Sequence, residues 1–121
     1  REAVIVSAVR LAVGRVGGAL KNIRPEKLGG MVIKEALKRG KVDPSWVEEV
    51  IFCSCDNEDL KISGRVISLE AGLPVEIPAY QIQRGCASSL TAVWDAVMMI
   101  QTGFHDCIAA AVLKAHLSLH I

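Results

Sequence analysis

Apolar residues along the chain form short continuous runs, separated by longer segments of mixed polarity. Runs of this length that are rich in β-branched or small apolar residues are typical of buried strands. Four such runs predict strands at residues 3–9, 50–55, 78–84 and 107–113. Helical spacing in the intervening segments predicts helices at residues 25–40, 61–71 and 86–102. The order βαβαβαβ predicts an α/β fold with a mainly parallel sheet and crossover helices.

Prolines, glycines and apolar spacing define the first two predicted helices. Pro25 suits a first helical position, and Gly40 and Gly72 are typical helix-ending residues. The expected buried face of the first helix is Leu28, Val32, Ala36 and Leu37. The expected buried face of the second helix is Ile62, Val66 and Leu69.

The third predicted helix is apolar around most of its circumference. One stripe is formed by Leu90, Val93, Trp94, Val97 and Ile100, and apolarity extends through Ala92, Ala96, Met98 and Met99. A helix of this kind is typically buried on nearly all sides. We therefore expect a buried central helix, covered by a second layer from another domain or another subunit.

Composition narrows the class of protein. The 121 residues are 51% hydrophobic and 22% charged, which favours one compact folded domain over a disordered chain. With 14 basic and 13 acidic residues, no charge surplus indicates a nucleic-acid partner or an anionic membrane. The apolar opening is interrupted by Arg10, so it predicts neither a membrane span nor a signal peptide. These features predict a cytoplasmic protein.

The four cysteines are expected to be free thiols, since a chain with a strong core and no export signal does not depend on disulfides. Cys53 and Cys55 form C-x-C rather than C-x-x-C, with no second pair to complete a zinc site, so no metal is predicted. Small buried hydrophobes are the expected role of Cys53, Cys55 and Cys107.

Cys86 differs from the other cysteines because it stands where the third strand passes into the third helix. Unpaired N–H groups and the peptide dipoles at a helix N-terminus favour an anion, and a thiolate is the anion that Cys86 can become. A thiolate can hold an acyl group as a thioester. Position alone leaves a small buried residue and a nucleophile about equally open.

Several segments together resemble the N-terminal domain of the thiolase family. They are AVIVSAVR, KLGGMVIKEALKRGKVDPSWVEEVIF, GRVISLEAGLPVEIPAYQIQRGCASSLTAVWDAV and GFHDCIAAAV. The resemblance implies a layered αβαβα fold, of which residues 1–121 form part of one half with a divergent tail at 113–121. It implies an acyltransferase that moves acetyl or longer acyl groups between coenzyme A thioesters, with Cys86 as nucleophile and no bound cofactor. It also implies a homodimer or homotetramer, with dimerisation through residues 80–84.

The sequence departs from the family pattern in two ways. Ser89 stands where the family commonly has Gly, and residues 111–114 replace a glycine-rich turn. The later family motifs, with an activating His and a second Cys, are not found in these residues. We therefore expect the isolated chain to be an inactive portion.

Two other classes of function stay open at this point. The spacing of Ala12, Gly14 and Gly17 after the first strand resembles a dinucleotide-binding loop of an oxidoreductase, although the first glycine is absent. A non-catalytic assembly module with the same shape is the other alternative. The tail alternates like a strand, so His116 and His120 are expected to face solvent, and His105 is expected to be a cation at a helix C-terminus.

Overall fold

The computed structural model describes residues 1–54 and 63–113, in which three parallel strands and three α-helices alternate. The strands are β1 (Glu49–Ser54), β2 (Ala79–Ile82) and β3 (Ile108–Leu113), arranged in the sheet as β2-β1-β3. The helices are α1 (Pro25–Gly40), α2 (Ser63–Glu70) and α3 (Ser88–Gln101), with a short 3₁₀ turn at Pro44–Trp46. The predicted α/β class and parallel sheet are confirmed.

Strand β1 is the centre of the core because both of its faces are covered. Val50 and Phe52 are fully buried in a cluster with Ile33 of α1 and Ile67 of α2. Ile51 and Cys53 alternate to the opposite face and pack with Ala92 and Ala96 of α3. A strand covered on both faces accounts for the unbroken apolar run that predicted it.

The layer of α1 and α2 lies close against the sheet. Helix α1 begins at Pro25 and ends at Gly40, as predicted from these two residues. In α2, a Cβ added at Gly64 would lie 2.7 Å from the Tyr80 carbonyl oxygen. Glycine at this position therefore allows α2 to approach the backbone of β2, the strand that leads to Cys86.

The prediction of a strand at residues 3–9 is wrong. This segment forms no regular element and pairs with no strand of the described residues. A cavity of about 340 Å³ lies between it and the neighbouring α1, α3 and β3. Val4, Ile5 and Val6 are mostly exposed. High β-propensity without a hydrogen-bonded partner strand is not sufficient to form a strand.

The predicted buried face of α2 is also wrong. In α2, Val66 and Leu69 are exposed while Ile67 and Ser68 are fully buried, and Ile62 lies outside the described residues. In α3, Ala92 and Ala96 pack on the sheet, and Ser88 is buried in the first turn. Small residues let a helix lie close to a sheet. The small side chains of α3 therefore face the sheet in place of the bulkier apolar stripe that begins at Leu90.

Helix α3 is not buried on nearly all sides by the residues that the structure describes. Leu90 is 68% exposed, Trp94 63% and Met98 52%, and these positions follow one another at helical spacing. The outer side of α3 is thus an apolar surface that these residues leave uncovered.

Candidate functional site

Cys86 lies in the turn that connects β2 to α3, at the carboxyl edge of the sheet. Strand β2 ends at Ile82 and α3 begins at Ser88, so the helix starts two residues later than predicted. Cys86 precedes the helix N-cap, Ala87, and its side chain is exposed. The thiol is therefore accessible to a reactant, which distinguishes it from a small residue of the core.

Gly85 gives the turn its shape. Its φ of 55° lies in the left-handed region, which residues with a Cβ adopt at an energetic cost. No heavy atom outside its chain neighbours lies within 4 Å of a Cβ built at this position. The requirement for glycine is therefore conformational, and it allows the chain to reverse directly before Cys86.

The hydroxyl of Ser88 links both sides of this turn. Its Oγ accepts a hydrogen bond from the Arg84 N–H at 2.7 Å and donates one to the Gly85 carbonyl at 2.7 Å. The Gln83 side-chain oxygen accepts from the Gly85 N–H at 3.1 Å. These bonds tie the residues before Cys86 to the first residue of α3.

The first turn of α3 offers backbone donors next to Cys86. Ala87 makes no side-chain cap, and no backbone hydrogen bond between described residues uses the N–H of Ser89 or Leu90. Unpaired N–H groups and the helix dipole favour an anion at this end. Arg84, whose guanidinium lies 3.5 Å from the Thr91 hydroxyl, adds the one full charge among residues 83–88, and it is a cation.

A second link between β2 and α3 is made by Tyr80 and Asp95. The Tyr80 hydroxyl donates to the Asp95 carboxylate at 3.3 Å. Burial, with the nearby charge of Asp95, raises the pKa of Tyr80 to about 12. Strand and helix are thus joined behind the turn as well as within it.

The other cysteines occupy different environments. Cys53 is fully buried, and its sulfur lies 3.4 Å from the Ala111 carbonyl oxygen. Burial, together with the Glu48 carboxylate, raises the pKa of the partly buried Cys107. Cys86 and Cys107 are free thiols, as predicted, whereas Cys55 lies outside the described residues. Within residues 1–54 and 63–113, no three His, Cys, Asp or Glu side chains group as a metal site would require.

His105 lies at the opposite edge of the sheet from Cys86, beside the amino ends of β1 and β3. Its Nδ1 is 3.1 Å from a Glu48 carboxylate oxygen, and its Nε2 is 3.0 Å from a Glu49 carboxylate oxygen. Burial alone would lower the pKa of His105, but the hydrogen bonds to Glu49 and Glu48 raise it above its ordinary value. The two adjacent acids at the start of β1 are the sequence signal that a helix-terminal interpretation of His105 missed.

The glycines after residue 13 do not form a dinucleotide-binding loop in this fold. Gly17 adopts a φ of 72° within a series of turns, and α1 begins only at Pro25. Phosphate cradles of that type need a helix N-terminus directly after the glycines. The geometry therefore gives the oxidoreductase alternative no support.

Comparison with known proteins decides the family. Residues 3–112 match the family model described as the thiolase N-terminal domain. The chain belongs to the thiolase family. It is 38% identical over 109 residues to beta-ketothiolase BktB of Cupriavidus necator, covering 88% of this chain and 27% of that relative. It is 39% identical over 112 residues to the cytosolic acetyl-CoA acetyltransferase of Rattus norvegicus, again covering 88% of this chain and 27% of the relative.

Solved structures agree with this assignment. The crystal structure of the Bacillus anthracis acetyl-CoA acetyltransferase superposes with a TM-score of 0.91 at 41% identity, covering 97% of this chain and 30% of that one. The acetyl-CoA acetyltransferase from Syntrophomonas wolfei gives a TM-score of 0.85 at 28% identity, over 90% of this chain and 28% of that one. The thiolase-like fold is confirmed, and the chain spans less than a third of the length of these proteins.

The remaining predictions on location and tail have separate outcomes. No helix in the part of the chain that the structure describes is long and apolar enough to cross a membrane. His116 and His120 lie outside the described residues. The cytoplasmic location and the tail boundary at 113–121 stay predictions.

Proposed function

We propose that this chain contributes the nucleophile of a thiolase-type acyltransferase, which moves acetyl or longer acyl groups between coenzyme A thioesters. The observation that carries the proposal is the exposed Cys86 on the left-handed Gly85 turn, next to unpaired N–H groups at the start of α3. The names of the similar proteins, acetyl-CoA acetyltransferase and beta-ketothiolase, support the same class of substrate.

In the proposed step, the Cys86 thiolate attacks the carbonyl carbon of an acyl-CoA thioester. A new bond forms between that carbon and the Cys86 sulfur, the bond to the coenzyme A sulfur breaks, and coenzyme A leaves as a thiolate. The departing thiolate takes up a proton equivalent to the one that Cys86 lost. No bound cofactor is needed for this exchange of one thioester for another.

Full turnover needs groups beyond the Cys86 turn. A base to activate the thiol, a proton donor and an oxyanion site each contribute orders of magnitude in rate. Among the described residues the one imidazole is that of His105, which lies at the far edge of the sheet between two glutamates. We therefore expect the isolated chain to be acylated slowly and to show no steady-state thiolysis or condensation.

The test is transfer of an acetyl group to Cys86. The 121-residue chain is incubated with acetyl-CoA, digested under acidic conditions, and searched by mass spectrometry for a thioester. We expect the acetyl group on the Cys86 peptide. Cys86→Ser should abolish it, whereas Cys107→Ser, the matched control, should retain it. Acetylation of Cys107 in preference to Cys86 would contradict the proposal.

The exposed apolar side of α3, which suits a contact surface, favours a second candidate, a thiolase-like assembly module without turnover. The same experiment separates the two, because an inert module would acquire no thioester on Cys86 while remaining folded by circular dichroism.

We propose further that the chain assembles as a homodimer or homotetramer. Strand β2 lies at an edge of the described sheet, and α3 carries the exposed apolar positions Leu90 and Trp94. Unpaired edges and apolar patches above a few hundred Å² usually find partners. Light scattering should detect self-association, and a monodisperse monomer at high concentration would count against it.

A further inference from the structure

The Ser88 side chain has an unusual set of partners for a residue at the start of a helix. It is 1% exposed, and its hydroxyl uses both its donor and an acceptor site on backbone groups that precede Cys86. Its Oγ also lies 3.4 Å from the Gln83 side-chain oxygen, which itself accepts from the Gly85 N–H. The two side chains therefore hold the backbone of residues 84 and 85 from both ends of the turn.

Burial alone does not explain these bonds. Ser68 of α2 is also fully buried, yet its hydroxyl has no hydrogen-bond partner among the described residues. Ser88 differs because the turn brings an N–H and a carbonyl of the preceding residues within 2.7 Å of the same oxygen. The hydroxyl thus stabilises the left-handed conformation of Gly85, which places Cys86 before the first turn of α3.

We infer that Ser88, assisted by Gln83, is a positioning residue for the Cys86 thiol. The inference rests on the proposed function, since it assigns to Ser88 the placement of the proposed nucleophile. Both side chains are uncharged, so they fix the turn without a negative charge that would oppose a thiolate. Cys86 is already exposed, so a looser turn would add little access to the thiol while changing where Cys86 stands relative to the start of α3.

The experiment compares Ser88→Ala with Ser89→Ala, which alters an exposed serine in the same turn of α3. The first measurement is the rate at which limiting iodoacetamide labels Cys86 in the folded 121-residue chain. Because a helix N-terminus stabilises an anion only modestly, and nucleophilicity partly offsets thiolate fraction, we expect Ser88→Ala to slow labelling about two-fold. Ser89→Ala should leave the rate unchanged.

The second measurement is hydrogen exchange of backbone amides, which separates local positioning from a general loss of stability. In Ser88→Ala the Arg84 amide should exchange roughly five- to ten-fold faster, because its acceptor is lost, while amides of β1 keep their protection. Ser88→Thr retains a hydroxyl able to bond the same carbonyl and should restore both readouts.

Gln83→Met provides an independent route if Ser88→Ala does not fold, because Gln83 is exposed. It should accelerate exchange of the Gly85 amide. It should also slow the labelling of Cys86, as Ser88→Ala does. Uniformly faster exchange across the chain, or labelling rates equal to wild type in both Ser88→Ala and Gln83→Met, would overturn the inference. Iodoacetamide labelling does not need acyl transfer, so the two failures are distinguishable: failure of the acetyl-CoA experiment alone would overturn the role of Cys86 as nucleophile, and leave only the placement of its thiol by Ser88.

Discussion

The two edges of the sheet are held together by different kinds of interaction. At the carboxyl edge, the Cys86 turn is fixed by a glycine conformation and by neutral hydroxyl and amide hydrogen bonds. At the amino edge, His105 lies between the carboxylates of Glu48 and Glu49, and Arg1 pairs with Asp106. The turn that carries Cys86, at the carboxyl edge, thus contains no carboxylate. Among the described residues, the amino edge holds three carboxylates, those of Glu48, Glu49 and Asp106.

The difference has an electrostatic reason. A thiolate is favoured next to helix N–H groups and a cation such as Arg84, and a nearby carboxylate would oppose it. The cluster at the other edge requires the opposite charge, because a neutral imidazole donates only one hydrogen bond and here both ring nitrogens face carboxylate oxygens. The first arrangement suits a developing anion, while the second suits a protonated imidazole that joins two strand ends.

The largest effect expected at the amino edge is on stability. His105→Gln removes the imidazolium and should lower the free energy of unfolding by about 1.5–3 kcal/mol near pH 6. The pKa of His105 is raised in the folded chain, so its contribution is fully present below the unfolded value of about 6.5 and is lost as pH rises through the folded value. Urea unfolding of wild type and variant between pH 6 and pH 9 measures this.

The difference in the free energy of unfolding between wild type and His105→Gln should therefore shrink towards alkaline pH. Labelling of Cys86 by iodoacetamide should be the same in both proteins at each pH, because His105 lies at the far edge. A stability difference that is independent of pH would mean that His105 acts through packing rather than charge.

Two glycines with left-handed backbone conformations, one at each edge of the sheet, allow a matched comparison. The expected loss of stability on substitution is intermediate in size. Gly85 precedes Cys86, and Gly103 follows α3 at the amino edge with a φ of 77°. Alanine has little steric conflict at either position, so each substitution should cost about 1–2 kcal/mol from backbone strain alone. Thermal melts of Gly85→Ala and Gly103→Ala measure the two costs.

Only one of these two variants should also affect the thiol. Gly85→Ala should change the iodoacetamide labelling rate of Cys86, and Gly103→Ala should not. If Gly103→Ala altered that rate as much as Gly85→Ala, the shape of the turn would not be what controls the thiol.

The smallest expected effect on stability comes from the hydrogen bond between Tyr80 of β2 and Asp95 of α3. Tyr80→Phe removes the hydrogen bond to Asp95 and should cost about 0.5–1.5 kcal/mol. Tyr80 is the only tyrosine in the chain, so ultraviolet absorbance reports its ionisation without overlap from another tyrosine. In wild type the midpoint should lie near 12, and in Asp95→Asn it should move down.

The sign follows from the raised pKa of Tyr80. Its contribution to stability is complete below the unfolded value of about 10 and is lost as pH rises towards 12. An unchanged midpoint in Asp95→Asn would show that burial alone sets the ionisation of Tyr80.

Local chemistry was sufficient to predict several parts of this protein from its sequence. Pro25 fixes the start of α1 because it acts on the backbone of its own segment, and α1 ends at Gly40 as predicted, although Lys41 adopts the left-handed cap conformation. The apolar run at 50–55 predicted the central strand, since a strand covered on both faces has no polar side. The position of Cys86 between β2 and α3 was also predictable, because Gly85 and the change of spacing mark a strand-to-helix turn.

Tertiary structure alone decided which surfaces meet. Hydrophobicity predicted α3 as apolar around most of its circumference, but it did not show which side faces the sheet; Ala92 and Ala96 do, because close approach of a helix requires small side chains. The segment at 3–9 has strand propensity and no partner strand within the described residues, and the pairing of His105 with Glu48 and Glu49 joins residues more than fifty positions apart. Sequence patterns determine local conformation because each residue acts on its neighbours, whereas these outcomes depend on distances between segments that only folding brings together.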